Sequence, residues 1–437
     1  MATIEKYFNS GQYKSIGSPF TTRALFYLRG KASGPSLFFR MERFMCAAYS
    51  SRDPVAWELS YCVESGPGAV ATLNDFFTRR GINRPLIVTD PGFAKLDHLA
   101  DLKAQLAKAD IACAQFDAVQ ANPSDADAYA AAQSYRDHDA DAVIAIGGGS
   151  AMDGAKGAAL IARQNRYSLW DFDYNGATPT DLTRDDFPPL ITVPTTAGTG
   201  AEGDSTAMLI NTERGTKECV HHPLARPKKI ILDPNFTLGL PASLTAWTGL
   251  DALTHALESY LVPMFHPLCD GAALQGLSLI WGNIEESVEN GTNLDARSNM
   301  LTGSFLAGVG FLKGLGLVHA ISHMVGAACH THHGMTNAIL LPAIMRFNRS
   351  ALEPKLPAIA HAMQLDDDRF ETFHAAICSL LDRLDIPKGL SALGVPHEIV
   401  DDILAAVEGD PAYATNPVHC PRGTLATLIH EAIDAAR

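Results

Sequence analysis

The chain has 437 residues, 47% of them hydrophobic and 19% charged, and a formal net charge of -14. That length and apolar content imply a large core and two or more domains. The balance of 34 basic against 48 acidic residues excludes nucleic acid and anionic membrane as main partners, and no uncharged run is long enough to span a bilayer.

Residues 1 to 57 fit neither of the domains expected after them and read as an amino-terminal extension. Residues 1 to 43 hold seven Lys/Arg against Glu5 and Glu42, without the apolar stretch of a secretory signal. An ordered arm or an oligomer contact is the expectation. The eight cysteines are scattered with no C-x-x-C pair, as in reduced thiols of a cytoplasmic protein.

From about residue 66 strand-like and helix-like segments alternate. "RPLIVTD" (84–90), "DIACAQFDAV" (110–119), "ADAVIAIGGG" (140–149) and "PLITVPTT" (189–196) have β-branched centres, and Ala-rich helical text lies between them. Alternation with short connections predicts a parallel sheet covered on both faces. Beyond "KKIILDPNFTLGLP" (228–241) only helix-like runs follow. The expected division is an α/β nucleotide-binding domain over 58–238 and an all-helical domain over 239–437.

"AIGGGSAMDGAKGAAL" (145–160) follows an apolar strand and opens a helix. Glycines let a backbone approach a ligand closely, and amides at a helix start suit a pyrophosphate. A ligand-free strand-to-helix turn would read the same way. Three further features favour a dinucleotide. "ESGPGAV" (64–70) is a second glycine-rich turn, Asp90 ends the next strand, and "VPTTAGTGAE" (193–202) is a hydroxyl-rich loop at another strand end. An acidic residue placed like Asp90 binds ribose hydroxyls and repels a 2′-phosphate.

In "GLDALTHALESYLVP" (249–263) Asp251 and His255 stand at i, i+4 in otherwise apolar helical text. They read as a local hydrogen-bonded pair, a core histidine with its partner, or half of a metal site. "GLGLVHAISHMVGAACHTHHGMTNAILLP" (314–342) then holds five of the sixteen histidines within fifteen residues, His319 and His323 again at i, i+4. Burying several imidazoles requires partners for each, and a shared cation is one solution. Imidazole with carboxylate suits Fe(II) or Zn(II).

The blocks "GGGSAMDGAK", "PTTAGTGAE", "ILDP", "GLDALTHALE", "KGLGLVHAISH" and "HTHHGMTNAILLP" resemble, in order, those of the iron-containing (group III) alcohol dehydrogenases over roughly 58 to 437. The resemblance implies a Rossmann-like nucleotide domain, an all-helical metal domain and a cleft between them. Carried over by position, the metal ligands are Asp251, His255, His319 and His333, with His323 facing substrate as the last step of a proton relay. The NAD contacts are Asp90, Asn122, Gly148, Gly149, Ser150, Thr195, Thr196 and Lys217. The implied reaction is hydride transfer between NAD(H) and a small alcohol or aldehyde, with Fe(II), or Zn(II), as the metal and a homodimer or higher homo-oligomer as the assembly. "GDST" after Glu202 and "HHP" at 221–223 depart from the family's usual text. All four ligands are present, against the metal-free maleylacetate reductase branch. A polyol dehydrogenase and a dehydroquinate synthase-like lyase share this layout, but the lyase needs several Lys and Arg, and 241 to 345 offers Arg297 and Lys313 alone.

Overall fold

The computed structural model describes residues 59–435; the expected extension over 1–57 lies outside the described residues. Strands β1 (Val63–Ser65), β2 (Pro85–Val88), β3 (Ala114–Phe116), β4 (Ala142–Gly147) and β5 (Leu190–Pro194) precede a hairpin of β6 (Thr206–Asn211) and β7 (Thr216–His221), and β8 (Lys229–Leu232) follows. Six of them form one sheet in the order β1-β8-β5-β4-β2-β3, and every pairing within it is parallel. The antiparallel hairpin β6–β7 stands apart. Its residues carry no two-residue turn signal, and nothing in the sequence reading anticipated it. The segment 110–119 contributes only the three residues of β3.

Helices α1 (Leu73–Arg80), α2 (Asp97–Lys108), α3 (Asp125–Asp137) and α4 (Gly149–Ile161) cover the sheet. Strand alternation decides which face each one meets. Leu86, Val88, Val143 and Ala145 pack with Ala128, Ala131 and Ala132 of α3 and Met152, Ala155 and Ala158 of α4. Ile87, Ile144 and Ile146 point the other way, onto Leu73, Phe76 and Phe77 of α1 and Leu99, Leu102 and Leu106 of α2. Both faces are dry, which is why these strands read as unbroken apolar runs. A buried phenylalanine such as Phe77 accounts for about 1.5–3 kcal/mol of burial.

After Leu232 no strand occurs among the described residues. Helices α5 (Ala242–Leu261), α6 (Pro267–Trp281), α7 (Ile284–Glu289), α8 (Leu294–Gly310), α9 (Leu317–Cys329) and α10 (His333–Phe347) come first. Then come α11 (Arg349–Leu352), α12 (Leu356–Ala362), α13 (Phe370–Arg383), α14 (Ile399–Gly409), α15 (Pro411–Thr415) and α16 (Arg422–Ala435). Helix α5 is buried nearly all round, as befits the centre of a bundle. A helix in that position has to find partners inside the protein for every polar side chain it carries. Ile230 and Leu232 of the sheet meet Leu301, Phe305 and Val309 of α8, so the two halves share apolar contacts. Among the described residues no single helix is long and apolar enough to cross a membrane.

Two departures from familiar text have structural reasons. Asp204 of "GDST" forms a buried ion pair with Lys156 of α4 and accepts a hydrogen bond from Thr206. In "HHP", the His222 ring packs against Phe187 at 4.7 Å, tilted by 31°, and bonds the Pro179 carbonyl at 3.0 Å, so it is a packed corner.

Candidate active site

Chain order explains where the nucleotide edge lies. From β2 the chain moves outward to β3, then returns to the other side of β2 as β4 and continues through β5. The reversal opens a crevice beyond the carboxyl ends of β2 and β4, where open α/β sheets bind ligands. Asp90 follows β2 there, and Gly148, Gly149 and Ser150 follow β4. Gly147 has φ +146, and a Cβ on it would sit 2.5 Å from Ala151 and 3.1 Å from Asp90 Oδ2, so only glycine fits. Asp90 Oδ1 accepts from the amides of Gly92 and Phe93, each at 2.9 Å. One carboxylate oxygen thus holds its own turn and the other lies toward the glycines.

The loop after β5 closes the crevice. Thr195 N donates to Gly147 O at 2.9 Å, and the Thr196 side chain lies 3.6 Å from where a Gly148 Cβ would be. Asn122, in the left-handed region at φ 55, accepts from Lys217 Nζ of β7 at 3.2 Å. All eight cofactor candidates therefore belong to the carboxyl end of the sheet or to the hairpin beside it. The "ESGPGAV" turn does not join them. It lies at the same end but follows β1, the edge strand farthest from β3, and its Gly68 and Val70 amides donate to Asp233 at 3.1 Å each.

The four predicted ligands meet in the helical half. Asp251 and His255 come from α5, His319 from α9, and His333 opens α10. One ligand atom from each lies within 4.8 Å of all the others. The Nε2 atoms of His333, His319 and His255 stand 3.5, 3.7 and 4.0 Å from Asp251 Oδ1. Donors about 2.0–2.2 Å from one tetrahedral cation are separated by about 3.3–3.6 Å; the His333 distance falls in that range, and those of His319 and His255 are a few tenths of an ångström longer. Gly334 permits the convergence: a Cβ there would lie 2.2 Å from Trp247 O and 3.2 Å from Asp251 Cβ.

Every ligand is held from behind. His255 Nδ1 bonds Gly198 O at 3.2 Å, His319 Nδ1 bonds Glu258 Oε2 at 2.7 Å, and His333 Nδ1 bonds Ser322 Oγ at 3.1 Å. Asn337 Nδ2 donates to Asp251 Oδ1 at 2.7 Å and lies 3.2 and 3.1 Å from His319 Nε2 and His333 Nε2. Its Oδ1 is buried with no partner. A single amide faces three acceptors, which a cation among them would satisfy together; the residues present fit a divalent metal.

Electrostatics agree. Burial alone would push Asp251 up, but the imidazoles of His255 and His333 and the bond from His319 outweigh it and hold the carboxyl well below its usual range. Burial pushes His255 down to about 4, against the pull of Asp251. Burial also takes His333 well below the imidazole range, Asp251 again opposing. His319 is raised to about 9, because its bonds to Asp251 and Glu258 overcome burial. Near neutrality Asp251 is anionic and His255 and His333 are neutral, as ligands of a cation must be, while His319 holds a proton that a cation would have to displace.

His323 lies one turn beyond His319 with its ring stacked on His333 at 5.3 Å. Its Nδ1 donates to Asp410 Oδ2 at 2.8 Å, which leaves Nε2 for a reacting group. That bond holds Asp410 below its usual range despite burial. His323 and His333 are 22% and 37% exposed, against 1–6% for the other three side chains, so the cluster opens on their side.

Sequence reasoning missed Glu258, Ser322, Asn337 and Asp410. Glu258 falls three residues after His255 and Asn337 four after His333, so helical spacing could have flagged both. Asp410 is 87 residues from His323 and carries no local signal of that partnership. It does also cap, accepting from Ala412 N at 2.8 Å.

Fold and site together put a sheet crevice of the kind that binds nucleotides in one half and a cluster fit for a divalent metal in the other. Residues 62–234 match the model of the iron-containing alcohol dehydrogenases, and 245–433 match that family's carboxy-terminal model. The 4-hydroxybutyrate dehydrogenase of Cupriavidus necator is 38% identical over 359 residues, 80% of this chain and 92% of that protein. A crystal structure of 1,3-propanediol oxidoreductase superposes with TM-score 0.82 at 32% identity, covering 87% of this chain and 100% of that one. The sulfoacetaldehyde reductase of Bifidobacterium kashiwanohense in complex with NAD+ gives 0.79 at 26% identity, over 87% of this chain and 99% of that chain. The chain belongs to the iron-containing alcohol dehydrogenase family.

Proposed function

We propose that this dehydrogenase uses NAD(H) and one divalent cation, Fe(II) or Zn(II), to interconvert a short primary alcohol and its aldehyde. The convergence of three Nε2 atoms on Asp251 Oδ1 carries the reading. Asp251, His255, His319 and His333 hold the cation, which when bound supplies a Lewis acid to polarise the substrate oxygen. Gly148, Gly149 and Ser150 offer amides and a hydroxyl to the pyrophosphate at the start of α4. Asp90 takes the adenosine ribose, and Thr195, Thr196, Asn122 and Lys217 line the remaining edge, aligning the nicotinamide with the reacting carbon. His323, fixed by Asp410, moves the hydroxyl proton to solvent.

The lyase alternative lacks its cations. Arg297 is buried against Gly291 O and Thr245 Oγ1, and Lys313 against Asp270 and Val262 O. Neither faces a ligand. The names of the relatives make 4-hydroxybutyrate and 1,3-propanediol, with their aldehydes, the first pairs to test. We place the enzyme in the cytoplasm as a homo-oligomer; Cys62, Cys113, Cys219, Cys269, Cys329 and Cys420 are free thiols, in keeping with that compartment.

Anaerobic NADH oxidation with these aldehydes, run beside elemental analysis, tests the proposal. About one metal ion per chain and metal-dependent turnover are expected. Full activity in protein holding no stoichiometric metal would overturn it.

A further inference from the structure

Glu258 lies two turns along α5 from Asp251, is only 2% exposed, and belongs to neither the ligand set nor the proton path. Its carboxylate collects four N–H groups. Oε1 accepts from Val318 N at 2.8 Å, while Oε2 accepts from Gly316 N at 3.1 Å, His319 N at 3.3 Å and His319 Nδ1 at 2.7 Å. The backbone donors lie at the start of α9, where amides lack intrahelical partners and favour a negative charge. The loop crowds against the carboxylate so closely that a Cβ on Gly316 would lie 2.7 Å from Glu258 Oε1.

A cap for α9 would need only the amides. Yet the shortest of the four contacts goes to the imidazole. With Nδ1–H committed to Glu258, Nε2 is the His319 nitrogen left for a ligand, on the side of Asp251. Charge points the same way: Asp251 and Glu258 bring two buried negative charges to the cluster, the number that balances one dication.

Resting on the reading of the four-residue cluster as a cation site, we propose that Glu258 is a positioning residue for the metal. It clamps His319 through Nδ1 and raises the cation affinity of the whole site, without touching the ion. Outer partners of this kind change metal affinity by about 10- to 100-fold.

The test is Zn(II) affinity of the full chain, measured by competition with a chromophoric chelator, together with thermal melts of metal-free and Zn(II)-loaded protein. Glu258→Gln keeps the shape and an acceptor while removing the charge. Its Zn(II) Kd should rise about tenfold or more, and the melting increment gained on loading should shrink. If the Kd is unchanged while the free and loaded forms melt lower by the same amount, Glu258 is only a helix cap and the inference is wrong. Should Glu258→Gln not fold, Glu258→Asp retains the charge but withdraws it from Nδ1; a raised Kd supports the clamp and a wild-type Kd overturns it. Wild-type protein that binds no Zn(II) refutes the cation site itself, an outcome distinct from wild-type binding shared by the variants.

Discussion

The metal cluster and the nucleotide edge solve the same problem, presenting polar groups to a ligand, in opposite ways. In the cluster each ligating side chain is fixed by a second polar atom: Gly198 O, Glu258, Ser322 or Asn337. At the edge the groups offered are mostly backbone amides around Gly148–Ser150 and the hydroxyls of half-buried Ser150 and Thr196, beside buried Thr195. Depth accounts for the difference. A buried donor or acceptor left alone costs about 1–3 kcal/mol, so the cluster must be complete before its ligand arrives. Groups at the crevice are satisfied by water until a nucleotide replaces it.

Four experiments break or sharpen this contrast. The largest effect is expected from His255→Ala, which removes a ligand from the prebuilt side. Metal content should vanish and turnover should fall on the order of 10³-fold or more, while a normal circular dichroism spectrum and retained NAD(H) binding show the nucleotide edge intact. Second is His323→Asn. Loss of a proton-transfer group slows alcohol oxidation by about 10²- to 10⁴-fold, with metal content unchanged by elemental analysis. If instead metal is lost and excess cation restores the rate, His323 supports a ligand and relays nothing.

The third experiment addresses the open side. Asp90→Asn keeps an acceptor for the Gly92 and Phe93 amides but removes the charge that would oppose a 2′-phosphate. The ratio of kcat/KM for NADH over NADPH should fall about tenfold, equivalent to ~1.4 kcal/mol. A wild-type enzyme already more efficient with NADPH would refute the assignment.

The smallest effect concerns Glu202, beneath the edge, whose carboxyl burial pushes up to about 7. A folded value above the ordinary 4.5 means the native state binds this proton more tightly than the unfolded chain. The contribution to stability is therefore present below about pH 4.5 and is lost as pH rises through about 7. Glu202→Gln mimics the protonated form, so melting curves should show it a few degrees more stable than wild type at about pH 8, and level with it at about pH 4. Equal difference at both pH values would contradict the assignment.

What was legible in the sequence follows the same contrast. The i, i+4 pairs Asp251–His255 and His319–His323 stand out because polar residues in apolar helices are rare. The crevice was legible because glycines and threonines at strand ends mark close approach. Short β-branched runs alternating with helical text revealed the two-faced sheet and the switch to helices, but not the β6–β7 hairpin, whose strands are held by pairing with each other rather than by local preference. The supports behind the ligands were hidden for a similar reason. Glu258 finds His319 61 residues away and Asp410 finds His323 across 87; such partnerships exist only after the chain has packed.

The hydrogen bond from His255 Nδ1 to Gly198 O joins a proposed metal ligand to the loop that closes the proposed nucleotide crevice. Two binding equilibria that share a bond are coupled, and coupling is reciprocal. Whatever factor the cation adds to NAD(H) affinity by fixing that loop, NAD(H) must return in full to the affinity for the cation.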